Sequence, residues 1–116
     1  MKDLNTIAQY LHKFAKARDW EQFHNPKNLS MALSVEAAEL MEHFQWLTTD
    51  DCKDLSDEKI AAAGEEIVDV LLYAIRLASV LNLDLPAAID AKTRKNELKY
   101  PIDKVKGSAK KYNEYD

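Results

Sequence analysis

The sequence predicts an all-α protein, built as a four-helix bundle and assembled as a homo-oligomer. Three observations predict it. Gly and Pro are scarce, at two and three in 116 residues, which favours long helices over a turn-rich β fold. Apolar residues recur with helical spacing in four segments joined by short connections, which suits antiparallel helices. The third of these segments is apolar around nearly its whole circumference from Ile67 to Leu81. A helix of that kind is expected to be buried, and one chain of this length has too few helices to cover it on every side.

The elements follow in order. Leu4, Ile7, Ala8, Leu11 and Phe14 recur at helical intervals, which predicts a first helix over about residues 3–18. A connector from Asp19 to Lys27 carries Trp20, Phe23, His24 and Pro26, and Pro26 disfavours helix at Asn25. Asn28 is the expected N-cap of a second helix running to about Leu47. Thr48-Thr49-Asp50-Asp51 breaks the pattern. Ser56 or Asp57 can cap the third helix, which has acidic residues in its first turn as the helix dipole prefers. It runs to about Leu81, with Asn82 as its stop. Asp84 and Pro86 open a fourth helix to about Lys99, and Pro101 ends it.

Charge is unevenly placed. Residues 1–91 hold 8 Lys/Arg and 16 Asp/Glu, whereas residues 92–116 hold 8 and 4. The acidic body argues against a nucleic-acid partner. A basic end beside an acidic centre suits a small polyphosphate bridged by metal, although a solubilising tail is the plainer reading of the same charges. Cys52 is the only cysteine, so no internal disulfide forms and a reducing compartment fits. The start of the chain has an amphipathic-helix pattern rather than a secretory leader, and no apolar run reaches a membrane span. A cytoplasmic protein with no membrane partner is expected.

Two pairs of carboxylates interrupt apolar sequence: Glu36 and Glu39 on the second helix, Glu66 and Asp69 on the third. Positions i and i+3 share a helix face, so packing the two helices together gathers four carboxylates. Left without a counter-charge in an apolar surround, they repel and are costly to desolvate. A hard divalent cation removes that cost, which points to Mg²⁺, with Mn²⁺ as the alternative ion. A single i/i+3 acidic pair is usually solvated surface; two pairs set in buried helices are not. A di-iron centre is disfavoured, since its Glu-x-x-His motif occurs only at Glu21–His24, in the connector.

Glu66 and Asp69 extend along one stripe to Tyr73 and Arg76, and Glu36 and Glu39 extend to His43 and Trp46. Trp20, His24, Trp46 and Tyr73 are therefore candidates to stack on a base, an interaction worth roughly 1–3 kcal/mol per base. Lys92, Lys95, Asn96 and Lys99 on the fourth helix are candidates for phosphate contact, since no glycine-rich phosphate loop exists. Base, metal and phosphate together describe a nucleoside triphosphate.

These residues resemble the MazG-like, all-α nucleoside triphosphate pyrophosphohydrolases, whose mark is Glu-x-x-Glu on one helix and Glu-x-x-Asp on the next. The stretches RDWEQFHNPKNLSMALSVEAAELMEHFQW, EEIVDVLLYAIRLA and RKNELKYP look most like the dCTP pyrophosphatase branch. Some relatives carry a pocket histidine on the first helix where this chain has Leu11, with His12 one residue along. The resemblance implies residues 1–101 as a helical catalytic domain and 102–116 as a polar basic tail. It implies Mg²⁺-dependent hydrolysis to a nucleoside monophosphate and pyrophosphate, favouring dCTP or modified dCTP, for nucleotide-pool cleansing by a dimer or tetramer. Glu36, Glu39, Glu66 and Asp69 would hold the metal. Glu39 or Glu65 would act as base, and the sequence does not choose between them. The alternatives are the same chemistry on dUTP or another dNTP, and a non-catalytic interaction module with a residual metal site.

Overall fold

The computed structural model describes residues 3–114. Five helices follow one another: α1 (Leu4–Ala17), α2 (Pro26–Glu42), α3 (Asp57–Val80), α4 (Leu85–Lys99) and the short α5 (Ile102–Val105). Single 3₁₀ turns occur at Glu21–Phe23, Asp51–Lys53 and Tyr112–Glu114. No strand occurs among the described residues. The all-α expectation is met. The chain divides after Leu83 into two compact units, the first containing α1 to α3 and the second α4, α5 and the tail.

Local chemistry sets the helix ends. Asp3, Ser56 and Asp84 cap α1, α3 and α4, each accepting a bond from the backbone N–H three residues on. The α2 cap differs from the sequence expectation. Asn25, not Asn28, is the cap, and its side chain accepts from the Asn28 N–H at 2.9 Å. The proline explains it: Pro26 stands at the first helical position, where a missing N–H costs nothing, and it holds Asn25 in the extended conformation a cap requires. Asn28 instead donates its side-chain amide to the Phe23 carbonyl at 3.0 Å, tying the 3₁₀ turn to α2.

Helix α2 also ends earlier than its pattern suggests. Beyond Glu42 the chain winds on in tighter turns, with His43 N–H bonding Leu40 and Phe44 N–H bonding Met41. Helices α1 and α3 close alike. Asp19 and Asn82 adopt left-handed φ values of 55°. The next N–H groups reach back, Trp20 to the Ala15 carbonyl and Leu83 to the Ala78 carbonyl, each at 2.9 Å. This six-to-one closure satisfies carbonyls the helix leaves open, and it turns Trp20 back over α1.

The core of the first unit lies where α2 and α1 pack on α3. Ala15, Leu29, Ala63, Ile75 and Ala78 are buried, with Leu29 and Ile75 the largest of them. Along the middle of α3, Ile67, Val68 and Leu71 are half-exposed, so the expected burial of the whole circumference is not achieved by this chain alone.

Candidate metal centre and adjoining cavity

Packing α2 against α3 brings Glu36, Glu39 and Glu66 together, with one carboxylate oxygen of each within 4.8 Å of the others. Glu36 and Glu66 each bury one oxygen, Oε2, that has no hydrogen-bond donor among the described residues. Buried acceptors are almost always satisfied, so these two oxygens are exceptions that call for a counter-charge. The Glu36 carboxyl is pushed up to about 7: it is drawn to share a proton with Glu39, burial disfavours its charge, Glu66 offers a second proton-sharing partner, and the charges of Glu39 and Asp69 repel its own. Asp69 is more exposed than these three and lies outside the cluster of close oxygens. His43 brings Nε2 to 3.9 Å from Glu66 Oε1, an electrostatic neighbour rather than a hydrogen bond. A set of hard oxygens, two without partners and one carboxyl resisting ionisation, fits a divalent cation such as Mg²⁺.

One turn further along α3 lies a cavity of about 310 Å³. Asp69, Leu72, Tyr73 and Arg76 form its α3 wall, Tyr10, Leu11 and Phe14 its α1 wall, and Trp20 and His24 close it from the connector. Its size is at the lower end for small-ligand sites. The aromatic wall is braced: Phe14 and Trp20 meet edge to face at 5.8 Å between ring centres, and Arg18 lies over the Phe14 ring at 3.5 Å. Asp69 links the two regions, since it lines the cavity and its charge acts on Glu36.

The structure thus brings together Glu36, Glu39 and Glu66 at the cluster and Asp69, Trp20, His24 and Tyr73 at the cavity. Trp46 is not among the cavity residues. It lies past the end of α2 and is 87% exposed. Glu65 is exposed and borders an open depression with Gly64, Val68 and Asp69. Lys92, Lys95, Asn96 and Lys99 lie exposed along α4 in the second unit. Sequence reasoning did not assign Tyr10, Phe14 or Arg76 to the site. Tyr10 and Phe14 are four apart on α1, and Arg76 continues the Glu66–Asp69–Tyr73 spacing, so the signal was present in each case. Leu11 faces this cavity, whereas His12 faces a second, more open hollow with Lys13, Glu21 and Arg76.

The chain is thus an all-α protein that sets a carboxylate cluster able to hold a metal ion beside an aromatic cavity. The chain belongs to the MazG-like family, which matches residues 31–115. It is 42% identical over 113 residues to dCTP pyrophosphatase 1 of Homo sapiens and 41% identical over 113 residues to that of Bos taurus. In both comparisons 96% of this chain is covered, and the chain spans about two thirds of the relative's length, 66% and 67% respectively. Its fold is similar to the crystal structure of a pyrophosphatase from Archaeoglobus fulgidus, with a TM-score of 0.78 and 37% identity, covering 84% of this chain and 91% of that one. Among the described residues no helix is long and apolar enough to cross a membrane.

Proposed function

We propose that this chain hydrolyses nucleoside triphosphates, with dCTP or a modified dCTP preferred, to the monophosphate and pyrophosphate. The observation that carries the proposal is the pair of partnerless buried oxygens, on Glu36 and Glu66, one turn from an aromatic cavity. The kinship with proteins named dCTP pyrophosphatase supports the substrate class. Glu36, Glu39, Glu66 and Asp69 would hold Mg²⁺. The chemistry a bound divalent cation supplies is charge neutralisation on the phosphates and a lowered pKa for the attacking water.

The chain's own residues do the rest. Trp20 and Tyr73 offer ring faces to a base, and His24 a polar edge. Asp69 joins the base cavity to the carboxylates, so a nucleotide seated in the cavity directs its phosphates toward Glu36 and Glu66. Water attacks the α-phosphorus, the α–β bridging bond breaks and pyrophosphate leaves; Glu39 or Glu65 accepts the water proton. Lys92, Lys95, Asn96 and Lys99 are proposed to contact phosphate. The active form is proposed to be a homo-oligomer, dimer or tetramer, in which a second copy covers Ile67, Val68, Leu71 and the exposed Trp46 ring. Nucleotide-pool cleansing is the role that fits such a reaction.

The test is a hydrolysis panel of all the dNTPs and NTPs plus 5-methyl-dCTP, with Mg²⁺, with Mn²⁺ and with chelator, resolved by ion-exchange chromatography. Fastest release of a cytidine monophosphate with pyrophosphate, stopped by chelator, is the expected result. Fastest turnover of dUTP would overturn the base preference alone. Absence of turnover on every nucleotide would leave a helical interaction module.

A further inference from the structure

Arg76 is the one buried charged residue among the described residues, 7% exposed on α3. A buried guanidinium normally meets a carboxylate, in a forked pair. This one meets imidazoles. Its Nε–H donates to His24 Nδ1 at 3.0 Å, and its Nη1 lies 3.5 Å from His12 Nδ1. No ion pair joins Arg76 to any described carboxylate. His12 in turn brings its Nε2 to 3.6 Å from Glu21 Oε1.

The chemistry of the donor decides the state of the acceptor. Guanidinium has only donors and stays protonated. A ring nitrogen that accepts from it carries no proton, so a neutral His24 must hold its proton on Nε2. The His24 ring lies between the aromatic cavity and the more open hollow beside it, bordering both, and no described residue accepts a bond from its Nε2. We propose that Arg76 is a positioning residue that locks His24 as the Nε2–H tautomer, presenting a fixed hydrogen-bond donor to an acceptor atom of the base in the cavity. This rests on the nucleotide reading of that cavity.

Two further features agree. Burial, and then the nearby Arg76 charge, push His24 below its ordinary value, which keeps the ring neutral. The other ionisable groups around Arg76 and His24 are Tyr10, Asp69 and Tyr73 on the cavity side and His12, Lys13 and Glu21 on the far side; none of the carboxylates forms an ion pair with the guanidinium. A donor fixed this way matches a pyrimidine carbonyl or an unprotonated ring nitrogen. A site built to donate discriminates against ligands that leave the donor unpaired.

The test has two arms. The first is two-dimensional ¹H–¹⁵N spectroscopy of ¹⁵N-histidine protein without nucleotide. Expected is a pyridine-type Nδ1 and a pyrrole-type Nε2 for His24 at neutral pH, and loss of that single tautomer in Arg76→Met. A protonated Nδ1 in the unsubstituted protein overturns the inference. The second arm is kinetic. Arg76→Met should raise the KM for dCTP about tenfold, the worth of one hydrogen bond, with a smaller effect on kcat. His24→Gln, which keeps an N–H donor, should be closer to the unsubstituted protein than His24→Leu. Equal KM values for His24→Gln and His24→Leu overturn the inference, and this pair decides the matter if Arg76→Met does not fold. The arms separate two failures. A wrong tautomer sinks this inference while hydrolysis stands, whereas no turnover of any nucleotide sinks the function first.

Discussion

Glu36 on α2 and Glu66 on α3 face one another across the helix interface, and each buries one carboxylate oxygen that no donor satisfies. The arrangement opposes folding in the absence of a counter-charge, and two predictions follow from that opposition.

The first concerns pH. Glu36 is raised from the ordinary 4.5 to about 7, chiefly by proton sharing with Glu39 and by burial. Between those values the folded chain holds a proton that the unfolded chain has released, so the contribution of this group to stability falls as pH rises. Metal-free protein should therefore lose Tm from pH 5 to pH 8 more steeply than Glu36→Gln, which cannot ionise. Parallel Tm–pH curves for the two proteins would contradict the raised carboxyl.

A divalent cation should reverse that loss. An ion that binds only the folded state stabilises it by mass action, and one at this cluster also removes carboxylate repulsion. Adding Mg²⁺ or Mn²⁺ at pH 8 should raise Tm for the unsubstituted protein and leave Glu36→Gln with a much smaller rise. Scanning calorimetry with and without chelator measures it.

The cavity predicts a binding defect. Trp20 closes the aromatic wall against Phe14. Base stacking of about 1–3 kcal/mol is lost when such a ring is removed, so Trp20→Ala should raise the KM for dCTP by about tenfold or more. An unchanged KM in a protein with normal circular dichroism would remove Trp20 from the site.

For the scaffold, Ile75 is the sharpest probe. It is 1% exposed and lies beside Arg76 on α3. Ile75→Ala should cost about 2–5 kcal/mol in urea unfolding, through lost burial and the cavity left behind.

Most of the helices were legible because capping and periodicity are local. Ser56, Asp84 and Asn82 act where their residue types suggest. The start of α2 differs from the expectation at Asn28 because Pro26 is itself favoured at the first helical position, which leaves Asn25 as cap. The early end of α2 carries no residue signal; the turn simply tightens after Glu42. At the site, the spacing of Glu36, Glu39 and Glu66 foretold a cluster that only helix packing could bring together. The role of Arg76 was hidden because its partners, His12 and His24, are 64 and 52 residues away in sequence. Contacts of that range arise from tertiary packing and leave no local pattern.

The most direct test of the central claim is product analysis on dCTP with Mg²⁺ for the unsubstituted protein and Glu66→Gln. The account predicts dCMP and pyrophosphate from the first, abolished by chelator, and a rate lower by at least the ten- to hundredfold that even outer metal partners are worth in the second. Equal rates from a folded Glu66→Gln protein, or dCDP with orthophosphate as products, would contradict it.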